Sequence, residues 1–171
     1  MTEDPYIALA KTSLKIYLET GKMMKVPENL PSDILTRRAG TFVSLHKFGQ
    51  LRGCIGTISP VQSSIAEEII HNAVSAGTED PRFPAVRISE LKDLVVSVDV
   101  LSPPEPIQSI NELDVRRYGV IVSSGYRRGL LLPNLEGVDT VEEQVNIARR
   151  KAGIQKGEPV QLERFEVVRH E

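Results

Sequence analysis

The sequence predicts an α+β fold, and three observations carry that prediction. Strand-like and helix-like runs are intermixed without the regular βαβ alternation of a doubly wound sheet. Two pairs of strand-like runs are joined by short glycine-containing turns, which reads as antiparallel hairpins. The chain has 171 residues with no long polar linker, a length that suits a single domain over 1–171.

Residues 4–22 carry Ile7, Ala10, Leu14, Tyr17 and Leu18 at helical spacing. Asp4 is placed to cap this helix, Pro5 fits its first turn, and Gly21 ends it. A connector over 23–39 contains two prolines and one short helical candidate beginning at Ser32. Thr41–Phe48 and Leu51–Ser59 flank Gly49-Gln50, which suits a two-residue type II′ turn. Residues 62–76 form a second helix, with Ser64 and Glu67 at capping-box spacing and Gly77 as its stop. Residues 78–87 read as irregular. Leu94–Leu101 is a strand terminated by Pro103, Pro104 and Pro106. Val120–Ser123 and Arg128–Leu132 form another hairpin, whose Leu130-Leu131-Leu132 run reads as a strand buried on both faces. Thr140–Ala152 is a helix with a Thr140/Glu143 capping box and Gly153 just past its end, and Val160–Val168 is a final strand. No internal repeat is visible.

Composition removes several function classes. Lys+Arg is 21 and Asp+Glu is 23, a net charge of −2, which disfavours bulk binding to nucleic acid or anionic membrane. No apolar run approaches the roughly 20 residues that span a bilayer. The Met-Thr-Glu-Asp-Pro start lacks the features of a secretory signal, so a cytoplasmic location is expected. One cysteine makes no internal disulfide and no Cys/His zinc cluster. Walker, Rossmann, nucleophile-elbow and paired-histidine metal motifs are lacking, so no cofactor and no metal are expected.

Leu51-Arg52-Gly53-Cys54-Ile55-Gly56-Thr57 is the most informative segment. Glycine weakens a strand, so two glycines around a cysteine imply close approach by a ligand or another backbone. Period-two alternation puts Arg52, Cys54 and Gly56 on one face. A guanidinium there favours the thiolate and makes Cys54 nucleophilic. With Gly49-Gln50 as the turn, Leu45 faces Cys54, and His46 lies on the opposite face unless a bulge shifts the register. The competing reading is structural: a lone strand cysteine is commonly a small buried hydrophobe.

Asp80-Pro81-Arg82-Phe83 holds Arg82 either as an anion clamp oriented by Asp80 or as part of a plain turn anchored by Phe83. Glu105, between two prolines, is either a stiffly held carboxylate or the end of a strand. Arg116-Arg117 and Arg127-Arg128 either line an electropositive groove with Arg52 and Arg82 or are solvated surface.

Taken together, Leu51–Gly56, Asp80–Phe83, Leu101–Ile107, Arg128–Pro133 and Lys151–Gly153 resemble the AMMECR-type domain family, in the family's order and across nearly the whole chain. The resemblance implies two unequal lobes around a mixed, largely antiparallel sheet with flanking helices. It implies that Arg52, Gly53, Cys54 and Gly56 form the site, joined by Asp80, Arg82, Phe83, Glu105 and Arg128. Similar bacterial and archaeal proteins are called AmmeMemoRadiSam system protein A, which implies a Memo-like protein and a radical SAM protein as partners. No reaction comes with the resemblance. Three readings follow. The first is a thiol-dependent enzyme or covalent carrier, with Cys54 as the reacting group, Arg52 its activator, and a small anionic or protein substrate held by the other site residues. The second is a non-catalytic partner or substrate-presenting module. The third, an RNA or nucleotide binder, is disfavoured by the pI near 6.0 and the scarcity of aromatics.

Overall fold

The computed structural model describes residues 3–171. The chain divides into two compact units, Met1–Val100 with Val168–Glu171, and Leu101–Val167.

The first unit begins with α1 (Pro5–Thr20), where Asp4 accepts from the Tyr6 and Ile7 N–H groups and Gly21, at φ 74°, closes the other end. A short α2 (Ser32–Thr36) precedes the hairpin of β1 (Thr41–Lys47) and β2 (Gln50–Gly56). Next come α3 (Ile65–Thr78), a 3-10 helix over Ile88–Asp93 and β3 (Leu94–Leu101). Ser64 caps α3 through the Glu67 N–H, as its spacing predicts. Gly77 lies inside α3 rather than ending it, and a Cβ there would sit 2.5 Å from Leu14 Cδ1. Its lack of a side chain lets α1 and α3 approach. Val43, Leu45, Val98, Ile65, Ile69 and Leu14 fill the core between helices and sheet, each essentially buried. Burial stabilises by about 1.5–3 kcal/mol for each such large side chain.

The second unit holds β4 (Glu105–Ile107), a one-turn 3-10 helix, β5 (Gly119–Ser124), β6 (Arg127–Leu131), α4 (Val141–Ala152) and β7 (Gln161–Phe165). β8 (Val167–His170) then joins the first sheet. The strand orders are β2-β1-β3-β8 and β4-β7-β5-β6. The α+β class and antiparallel pairing hold, with the strands distributed over two four-stranded sheets. The expected final strand breaks at Glu166 into β7 and β8, one for each sheet. The proline-rich segment does not merely stop β3. It supplies β4, an edge strand, where proline's missing N–H costs no ladder bond.

The two units repeat one plan that the sequence does not display. Each has a hairpin, a helix and a third strand that pairs with the hairpin's first strand. In each, a glycine of the hairpin's second strand lies under a helix carbonyl. A Cβ on Gly53 would be 2.2 Å from Ala76 O, and one on Gly129 would be 2.1 Å from Ala148 O. Four residues before each alanine, a buried amide binds the start of the hairpin, Asn72 donating to Thr41 O and Gln144 to Tyr118 O.

The first hairpin differs from its expected register. Its turn is Phe48-Gly49, with φ of 51° and 79°, the sign pattern of a type I′ turn. A bulge then leaves Arg52 without a partner, so Leu45 faces Gly53 and Ser44 faces Cys54. The cause lies in α3. Without the bulge this turn would set Arg52 opposite Leu45, on the face where the Ala76 carbonyl leaves room only for a glycine.

Candidate functional site

β2 is an edge strand, so its outward N–H and C=O groups have no neighbouring strand. At Cys54 the loop after α3 supplies both partners. The Asp80 carboxylate accepts the Cys54 N–H at 3.0 Å, and Arg82 Nη2 donates to the Cys54 carbonyl at 3.4 Å. Asp80 also accepts from the Arg82 N–H, Nε and Nη2 at 3.0, 3.0 and 2.8 Å. These donors hold the Asp80 carboxyl far below the usual carboxylate range, the Arg82 side chain contributing most. The Phe83 N–H closes the turn on Asp80 O, and the Arg82 guanidinium sits 5.4 Å from the Phe83 ring centre. Asp80-Pro81-Arg82-Phe83 is therefore both things the sequence allowed, a turn and an arginine oriented by an aspartate.

Backbone groups pointing away from β1 mark Ser44–Cys54 as the closer, non-hydrogen-bonded type of antiparallel pair. Accordingly Ser44 Oγ and Cys54 Sγ lie 3.2 Å apart in hydrogen-bond contact. Because of the bulge, His46 shares this face after all, but it stands opposite Leu51 and the thiol's partner is Ser44.

Arg52 makes no hydrogen bond to the Cys54 thiol among the described residues. Its guanidinium turns to the 3-10 helix, where Nε and Nη2 meet the two Glu90 oxygens at 3.0 and 3.1 Å. Nη1 donates to Pro84 O at 2.8 Å. Glu90 also receives Lys47 Nζ and the Arg87 N–H, and these partners, Arg52 foremost, pull its carboxyl down to about 2. The bulge is again the reason, since alternation fails at the extra residue. Burial pushes the Cys54 thiol up from its ordinary value, outweighing the opposing pull of Ser44 and Arg82, while Asp99 and Asp80 push it further up. The balance favours the neutral thiol over the thiolate that an adjacent Arg52 would favour.

The flanking glycines serve backbone and ring packing. Gly53 admits Ala76 O, and a Cβ on Gly56 would lie 2.3 Å from the Phe42 ring. Glu105 and Arg128 belong to the second unit and are partnered there. Glu105 takes Arg164 Nε at 2.5 Å, and Arg128 Nη2 lies 3.6 Å from Glu163. Arg116, Arg117 and Arg127 likewise pair with Asp139, Glu166 and Glu158. The second unit's edge strand is capped at the position matching Cys54, where Lys151 Nζ donates to Leu130 O at 2.7 Å.

Ser44, Glu90 and the Asp99–Arg169 ion pair belong to this neighbourhood and were not singled out in the sequence. Only the correct register would have found Ser44. Among the described residues, no group of three or more His, Cys, Asp or Glu side chains could hold a metal ion. No helix among them is long and apolar enough to cross a membrane.

An α+β chain with an arginine–glycine–cysteine edge strand clipped by an Asp-Pro-Arg-Phe loop is thus defined, and the AMMECR1 family model matches residues 7–170. The chain belongs to the AMMECR1 family. A Thermotoga maritima protein is 53% identical over 170 residues, covering 98% of both chains. A Clostridium acetobutylicum protein is 53% identical over 98% of this chain, which spans 36% of that longer protein. The crystal structure of uncharacterized protein PH0010 from Pyrococcus horikoshii matches with a TM-score of 0.89 at 33% identity, covering 96% of this chain and 88% of that one.

Proposed function

We propose that this chain is a non-catalytic partner or substrate-presenting module, of the kind that works with a Memo-like protein and a radical SAM protein. One observation carries the reading: the reactive side chains around Cys54 are committed to one another. Arg52 is held by Glu90, and the thiol is neutral beside Ser44. Arg82 is anchored by Asp80 yet its side chain is 56% exposed, and its Nη1 makes no hydrogen bond among the described residues. A rigid guanidinium with free donors recognises a carboxylate or carbonyl of a docked protein without any bond-making step.

Binding of the purified chain to each candidate partner tests this by calorimetry. Cys54→Ser keeps the affinity and Arg82→Ala lowers it about tenfold or more, a loss of about 1.4 kcal/mol. Full binding by Arg82→Ala, or no binding of either partner by the intact chain, refutes the reading.

A second reading, with Cys54 as the reacting group, has one observation in its favour. Ser44 and Arg82 both pull the thiol toward ionisation. Cys54→Ser that binds normally but fails to support function in cells would select it.

A further inference from the structure

Away from Cys54, a cleft of about 530 Å³ opens between α1, the 3-10 helix and the start of β3. Its lining includes Leu14, Leu91, Leu94 and Val96. Leu14, Leu94 and Val96 are core residues, exposed by 1%, 8% and 5%, so the cleft is floored by the hydrophobic interior itself. Ile88, 53% exposed, stands over one side. Its charged lining is Lys11, Lys15 and Lys92 against the single carboxylate of Glu19. Lys11 is paired with Glu3 and Lys15 lies 4.0 Å from Glu19. Lys92 makes no ion pair and no hydrogen bond among the described residues.

We infer that this cleft binds a small amphiphilic anion, with an apolar chain on the Leu91–Leu94–Val96 floor and the anionic head at Lys92. Its size is that of a small-molecule site, and its chemistry is that of one: mostly apolar walls with a few charged groups that fix orientation. An apolar floor alone would favour a neutral ligand equally. The lysine-rich mouth, with one ammonium left over, selects negative charge. The inference is independent of the function proposed for the Cys54 face.

The test uses the full chain and three ten-carbon probes, decanoate, decyl phosphate and decanol, titrated calorimetrically and followed by amide chemical shifts. Saturable binding is expected for at least one anion, at least tenfold tighter than for decanol, with shifts at Lys92, Ile88 and Leu91. Whichever anion binds more tightly identifies the head group. Lys92→Glu, an exposed change that leaves the core intact, reduces anion binding about tenfold or more and leaves decanol unaffected. Ile88→Asp weakens both. No saturable binding of either anion up to about 1 mM, decanol equal to the anions, shifts elsewhere, or Lys92→Glu without effect on a variant with unchanged melting behaviour would each overturn the inference.

Discussion

Replacing Asp80 with asparagine separates a structural clip from a loose loop charge. Asp80 is 3% exposed, and its two oxygens take four donors from Cys54 and Arg82. Asparagine keeps the shape but presents an NH2 group to donors, so one N–H is left facing another. Stranding the Cys54 N–H at the strand edge costs about 1–3 kcal/mol. The Arg82 guanidinium is more than half exposed and returns to water, so the large penalty of a stranded buried charge does not apply. The expected loss is about 2 kcal/mol, which for a chain of this size lowers Tm by roughly 4–8 °C. Urea unfolding at pH 7 measures it. The pH dependence gives a second check. The Asp80 pKa is depressed on folding, so its contribution is complete above the unfolded value of about 3.9 and is lost as pH falls below it. Asp80→Asn therefore flattens the acid limb of the stability curve as well as lowering its plateau. A loss below about 0.5 kcal/mol together with an unchanged acid limb would refute the clip.

Three other outcomes follow from the same geometry. Gly53→Ala drives a Cβ against the Ala76 carbonyl and destabilises by about 3 kcal/mol or more in urea unfolding, whereas Gly49→Ala, in open space at a positive φ, costs about 1 kcal/mol. Glu90→Gln removes a carboxylate whose pKa is drawn from 4.5 to about 2 and costs about 3 kcal/mol at neutral pH, with the difference from the parent shrinking as pH falls from about 4.5 toward 2. Ser44→Ala raises the Cys54 pKa further, read as slower alkylation at pH values below the thiol's midpoint, because it removes the contact that favours the thiolate.

Local signals were legible in the sequence because their causes are local. The Asp4, Ser64 and Thr140 caps and the Gly153 stop each follow from hydrogen bonds within four residues, and each is where its spacing places it. What failed depended on distant atoms. The register around Cys54 is set by Ala76 O, more than twenty residues away, and the resulting bulge turned Arg52 from the cysteine to Glu90. The segment from Val160 to Val168 reads as one strand, since no local feature announces that its two halves join different sheets. Asp80, Arg82 and Cys54 were each singled out, and the structure brings them together as an edge-strand clip rather than as an activated thiol.

Cys54 is the sole cysteine, so any thiol chemistry of the chain reports on it alone. The rate of its alkylation by iodoacetamide, followed from pH 6 to 11, tests most directly whether this site holds a neutral, internally satisfied thiol. The expected profile rises with a midpoint above the roughly 8.5 of a free cysteine, and below pH 8 the labelling is slow. A midpoint under about 7.5 would mean an activated thiolate and would contradict the account.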